Sequence, residues 1–372
     1  PEIDELGWMD RLAVLDRGRL ALAGTPADLW GATTALEGLG LKGFTLARLA
    51  AALGISGRWE SADQAAAEIR AAGWQVNEDA AGRLRKAGAE PSSGRVLLEI
   101  EGLDHRYPDG TQALSGVSLA IRQGEFVAIL GQNGSGKTTL VKHLNGILRP
   151  TSGDIRLSGV SLRGQPPASL GRKVGLVFQN PDHQIFAERI RDEVAFGPRI
   201  QGLPEGEIAR RVEEALEAVG LAEAKDVDPF LLTKGSRQRV AVASTLATKP
   251  EVIILDEPTT GLDQFELQGM MTLIQRLNEA GHTIVIITHA MAVAAGYARR
   301  VILMRDGRIV RDGTAREIFS KEAELLDLGL TPPPAVQVAN RLGVPALTLE
   351  ELIGSLTRAF QPPGFPAFQP GS

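Results

Sequence analysis

The sequence predicts an α/β fold on a largely parallel sheet, and three observations predict it. From about residue 96 to 320, short apolar runs with strand character alternate with helical stretches, the order that builds parallel sheets. One run, Phe126 to Leu130, leads into GQNGSGKTT and then a helix. Another, EVIILDE, stays apolar until it ends in two acids, Asp256 and Glu257.

The bulk composition bounds the rest. A chain of 372 residues, 43% hydrophobic and 23% charged, suits two or three globular domains. A net charge of −5 argues against a broad basic surface for nucleic acid, so no nucleic acid partner is expected. With no cysteine, disulfides, thiol catalysis and cysteine-held metal drop out. No stretch reaches the roughly 18 to 20 uninterrupted apolar residues of a membrane span. The opening PEIDELG has neither the basic start nor the apolar core of a signal peptide. It lacks an initiator methionine, so the chain is expected to begin inside a longer protein.

Taken in order, residues 9–23 read as two short strands around Asp16-Arg17-Gly18. Residues 44–88 are alanine- and arginine-rich with helical spacing, as at Leu46, Leu49, Ala50 and Leu53. The stretch KAGAEPSSG reads as a linker, set at 89–95. VLLEIEGLDHRY and VSLAIRQGEFVAIL then alternate as strands do, and EIARRVEEALEAVG turns helical. The helix Phe265 to Ala280 leads to the strand TIVIIT. The expected divisions are 1–88, the linker, 96–320, a helical extension at 321–360, and a disordered Pro/Gly-rich tail at 361–372.

The pattern G-x-x-x-x-G-K-T spans Gly131 to Thr138 (Gly131, Gln132, Asn133, Gly134, Ser135, Gly136, Lys137, Thr138), with Thr139 next. Following a strand and opening a helix, it reads as a phosphate loop. Its glycines let successive backbone N–H groups converge on phosphates at a positive helix end. Lys137 is expected to reach the β and γ phosphates, and the Thr138 hydroxyl to hold Mg²⁺. Two acids ending a buried strand are costly unless a cation compensates them. Asp256 is therefore expected in the metal's shell, and Glu257 as the base that orients and deprotonates a water.

GQNGSGKT, VFQNPDHQIF, LLTKGSRQRVAVASTLA, VIILDEPTTGLD and IVIITH, in this order and spacing, resemble an ABC-type ATPase domain over about Val96 to Phe319. VFQNPDHQIFAERIRDEVAFGP is most similar to ATPases of energy-coupling-factor and cobalt-type importers, which energise uptake of vitamins or metal ions. The resemblance implies a P-loop NTPase fold of ABC type: a RecA-like core, an antiparallel β subdomain and a helical signature subdomain. It implies ATP and Mg²⁺ as cofactors, a second ATPase half and integral membrane subunits as partners, and a peripheral place on the cytoplasmic face of the membrane.

It also implies roles for single residues. Tyr107 would stack on adenine, Gln179 would touch Mg²⁺ and the attacking water, Asp263 would cross a dimer interface, and His289 would meet the γ-phosphate. The family's L-S-G-G-Q signature is here Leu232-Thr233-Lys234-Gly235-Ser236. Thr233 keeps a hydroxyl and Gly235 a close backbone approach, while Lys234 adds a cation and Ser236 replaces glutamine. The signature is expected to act on a partner's ATP.

The sequence also repeats itself. Arg11 meets Arg300, a separation of 300 − 11 = 289, and the same offset joins Gly7 to Gly296, Gly18-Arg19 to Gly307-Arg308 and Gly24-Thr25 to Gly313-Thr314. It holds at Trp30 against Phe319 and at Leu53-Gly54 against Leu342-Gly343. Pro1 then sits just past the counterpart of His289. Residues 1–88 are expected to be the end of an upstream ATPase half whose start lies about 190 residues further upstream. ATP is expected to bind through residues 107–289 and to be hydrolysed slowly until halves pair. Beyond Gln179, Ile185, Phe186, Val194 and Phe196 read equally as a groove wall for a membrane partner's helix or as core. The alternatives are a soluble ABC ATPase not linked to transport, and a truncated half acting only as a binding module.

Overall fold

The computed structural model describes residues 6, 9–87 and 94–358. Gly7, most of the linker expected at 89–95 and the tail expected at 361–372 lie outside the described residues. The chain divides into two units, residues 88–333 and residues 1–87 with 334–372.

FVAIL and TIVII are buried at every position, because helices cover both faces of a parallel sheet. In the larger unit the six-stranded sheet runs Arg308–Thr314, Arg300–Arg305, Phe126–Leu130, Thr283–Ile287, Val252–Asp256, Val174–Val177. Its pairs are parallel except the first. Gln112–Arg122, Val96–Arg106, Ser152–Leu157 and Val160–Ser161 form a second, antiparallel sheet. The two sheets share one core that includes Leu98, Leu119, Ile129 and Val285. Helices Ile190–Ile200, Glu205–Val219 and Lys234–Ala247 pack on one another beside it. Helix Glu322–Asp327, placed beyond the ATPase domain by sequence, belongs to this unit. Leu325 is buried, and Glu324 pairs with Arg311 at 2.6 Å.

The smaller unit gives the repeat its structural content. Strands Leu12–Asp16 and Arg19–Gly24 pair as Leu12↔Gly24, Ala13↔Ala23, Val14↔Leu22, Leu15↔Leu20 and Asp16↔Arg19. Adding 289 to every number gives the pairs of Arg300–Arg305 with Arg308–Thr314 from Val301↔Gly313 to Arg305↔Arg308, with the bulge at the corresponding step. Both turns take two left-handed residues, Arg17-Gly18 at φ 47° and 77° and Asp306-Gly307 at 48° and 73°, the geometry that matches strand twist. Both hairpins then enter a helix through a capping box, Thr25 with Asp28 and Thr314 with Glu317.

The correspondence continues in helices Thr45–Leu53 and Pro334–Leu342, each followed by a glycine at positive φ, Gly54 and Gly343. The two copies pair crosswise. Pro334–Leu342 packs on helix Ala62–Ala71, helix Leu349–Gly354 packs on Thr45–Leu53, and the three-residue strands Trp74–Val76 and Leu356–Arg358 pair antiparallel. Trp59, Leu49, Val338 and Leu352 are buried in their common core. Sequence placed these segments in separate regions; the structure gives them one apolar interior.

Candidate active site

Strand Phe126–Leu130 hands the chain to Gly131, and helix Lys137–Leu144 begins six residues later. The loop between can only be glycine-rich. A Cβ on Gly131 (φ 157°) would lie 2.3 Å from the Met304 carbonyl oxygen, and one on Gly136 (φ 99°) 2.6 Å from that of Ala113. Gln132, Asn133, Gly134 and Thr138 are exposed, while Ser135 and Thr139 are buried. The Lys137 ammonium donates to the carbonyls of Gly131 at 2.6 Å and Gln132 at 3.0 Å, and lies 3.4 Å from the Ser135 hydroxyl.

The acids end a strand two places along the same sheet, separated from Phe126–Leu130 by Thr283–Ile287. Glu257 sits at φ 49°, a left-handed conformation costly for a residue with a side chain. Its N–H donates to the Ile287 carbonyl at 2.8 Å, which holds that turn. Its carboxylate lies 2.8 Å from Nδ1 of His289, whose own ring is exposed. Burial pushes the Asp256 carboxyl above its ordinary range; the neighbouring Glu257 adds to this, and Lys137 and Lys142 oppose it. Burial pulls the Lys137 ammonium down, against Glu257 and Asp256. A divalent cation with phosphates would relieve both strains, and the oxygen donors of Asp256, Thr138 and Gln179 suit a hard cation shared with phosphates. Gln179 is exposed, two residues past Val177, which pairs with Leu255.

Tyr107, just after strand Val96–Arg106, reaches the loop helix: its hydroxyl lies 3.1 Å from that of Thr139. His105 and His143 stand behind this contact and were missed by sequence reasoning; the only signal was His143 four residues after Thr139, one helical turn along.

The signature residues form a second cluster. Thr233 caps helix Lys234–Ala247, accepting from the Ser236 N–H at 3.3 Å. A Cβ on Gly235 would lie 2.7 Å from the Glu266 carboxyl carbon. Lys234 donates to the Thr260 carbonyl at 2.7 Å, tying the signature to the loop that ends in Asp263. Asp263 in turn caps helix Gln264–Glu279, accepting from the Glu266 N–H at 2.8 Å. Among the described residues no hydrogen bond or ion pair joins Thr233, Lys234, Gly235 or Ser236 to the phosphate loop. Of the four residues read as groove wall or core, Ile185 and Val194 are buried. Phe186 and Phe196 are 60% and 43% exposed, edge to face at 4.6 Å.

The family model described as "ABC transporter" matches residues 114–260. An energy-coupling factor transporter ATP-binding protein of Symbiobacterium thermophilum is 47% identical over 72% of this chain and 98% of its own. An ABC transporter ATP-binding protein of Caldanaerobacter subterraneus is 42% identical over 96% of this chain. The chain spans 64% and 57% of the first two curated relatives it matches. Among solved structures, cbiO1 from Clostridium perfringens, titled part of the ABC transporter complex cbiONQ, has a TM-score of 0.58 and 37% identity, covering 65% of this chain and 98% of that one.

Proposed function

The chain belongs to the ABC transporter ATP-binding family, and on that premise we propose that it binds and hydrolyses ATP to energise a membrane importer of the vitamin or metal-ion class. The observation that carries the reading is the meeting of opposite charges at one sheet end. Lys137 opens the helix after strand Phe126–Leu130, and Asp256 and Glu257 end a strand two places along the same sheet, with parallel pairing throughout.

Gly131 to Thr139 cradle the triphosphate through backbone N–H groups, Lys137 grips its terminal oxygens, and Tyr107 supports the adenine. Asp256, Thr138 and Gln179 would hold Mg²⁺, which would neutralise charge on the phosphates. Glu257 takes the proton of the attacking water, and His289, hydrogen-bonded to it, orients its carboxylate. Thr233 to Ser236 and Asp263 serve the nucleotide of a partner half. The crosswise pairing of two homologous segments in the smaller unit supports a protein with two fused ATPase halves.

Among the described residues no helix is long and apolar enough to cross a membrane. The chain docks peripherally on the cytoplasmic face, with Phe186 and Phe196 offered to a helix of a membrane subunit.

Steady-state ATPase assays test this reading. Glu257→Gln should slow turnover by about 10²- to 10⁴-fold, the usual contribution of a general base, while ATP binding persists. Unchanged turnover would refute the assignment.

A further inference from the structure

Two buried histidines lie behind the nucleotide site and take no part in the chemistry above. His105, on strand Val96–Arg106, is 7% exposed and His143, on helix Lys137–Leu144, 2%. Nε2 of His143 lies 3.1 Å from Nδ1 of His105. The protons can be assigned from the partners. Nδ1 of His143 is 2.7 Å from the Thr139 carbonyl, which can only accept, so that nitrogen donates. In the neutral ring its Nε2 is then an acceptor. Nδ1 of His105 faces that acceptor and the Arg149 carbonyl at 3.2 Å, so it carries the proton. Nε2 of His105 is left a bare acceptor, buried without a partner. Burial holds His143 below the usual histidine range.

This arrangement fastens together two parts of the nucleotide site. The His105 ring meets Tyr107 edge to face, with centroids 4.7 Å apart. The Tyr107 hydroxyl meets that of Thr139, whose carbonyl accepts from His143. Thr139 directly follows Lys137 and Thr138. The strand leading to the adenine support is thus bound to the first turn of the helix that carries the phosphate grip. Ordinary packing would need neither the carbonyl bond nor the ring-to-ring bond, and two apolar side chains would fill the space without an orphaned nitrogen.

We propose that His105 and His143 are positioning residues that set the adenine support at Tyr107 against the phosphate-gripping turn, so that the pair governs recognition of the nucleoside and not of the phosphates. The proposal rests on the nucleotide site assigned above. Calorimetric titration of the full chain with Mg²⁺-ATP and, separately, Mg²⁺-tripolyphosphate tests it. In His143→Asn the amide nitrogen can still serve the Thr139 carbonyl, but the bridge to His105 is gone.

His143→Asn should bind ATP about tenfold more weakly, the scale of one lost hydrogen bond, with tripolyphosphate affinity within about twofold of wild type. Equal weakening for both ligands would overturn the proposal, since the pair would then only support the helix; so would no change for either. Should His143→Asn fail to give a cooperative melting transition, His105→Leu is read by the same criteria. A wild-type chain that binds neither ligand would sink the nucleotide reading itself, and the positioning role with it.

Discussion

Residues 12–24 and 301–313 are one hairpin in two settings. They share register, bulge, left-handed turn and capping box. Yet Met304 is 2% exposed while its counterpart Leu15 is 70% exposed. The difference is a neighbour. Arg300–Arg305 pairs in parallel with Phe126–Leu130, whereas among the described residues Leu12–Asp16 pairs only with Arg19–Gly24. Local sequence therefore suffices to set turn, register and cap, whereas burial depends on a partner strand from elsewhere in an ATPase core.

Substitutions at matched positions can break or sharpen this contrast, read as denaturant unfolding of the unit that carries each residue. The largest effect is expected at Arg300, which donates to Asp312 at 2.6 Å, to the Ala120 carbonyl at 2.8 Å, and to the buried Glu125 at 3.0 Å. Arg300→Leu removes the ion-pair partner of the Glu125 carboxylate, leaving it the Arg122 N–H, and should cost about 3 kcal/mol. Its counterpart Arg11 is exposed, and Ala23 stands where Asp312 stands in the other copy. Arg11→Leu should change stability by no more than about 0.5 kcal/mol. Equal costs would mean that the two settings are energetically alike.

Next comes the apolar pair. Met304→Ala removes a packed side chain and should cost about 2 kcal/mol or more, against about 0.5 kcal/mol or less for Leu15→Ala. A large loss at Leu15 would point to burial of that face in solution.

How much was legible follows the same division between local and distant causes. Gly131 to Thr138 declared itself because the cradle requires particular residues at fixed spacing, and TIVIIT and EVIILD because burial on both faces demands unbroken apolar runs. The smaller unit's organisation was not legible. Trp74–Val76 and Leu356–Arg358 are three residues each and find one another across some 280 positions, a pairing that no local period encodes. His105 and His143 were silent for the same reason, since a single histidine does not announce what its ring nitrogens face. Ile185 and Phe186 could not be divided into core and surface, because the irregular turn at Pro181–His183 and the loop after it break the period that would sort them.

The smallest contrast is expected at the caps, where the cost should be equal in the two copies. Thr25→Ala and Thr314→Ala each remove a capping box made within one turn, and each should cost about 1 kcal/mol in its own unit. A marked inequality would show that the cap depends on its surroundings after all.

The phosphate loop from Gly131 to Thr138 and the strand-end acids Asp256 and Glu257 lie ahead of the second hairpin. The most direct measurement is calorimetric titration of the full chain with ATP and Mg²⁺, for wild type and Lys137→Ala. One saturable site per chain is expected in the wild type, and affinity lower by about 30-fold in the variant, the scale of losing charged hydrogen bonds to phosphate. Equal affinity in the two proteins would contradict this expectation.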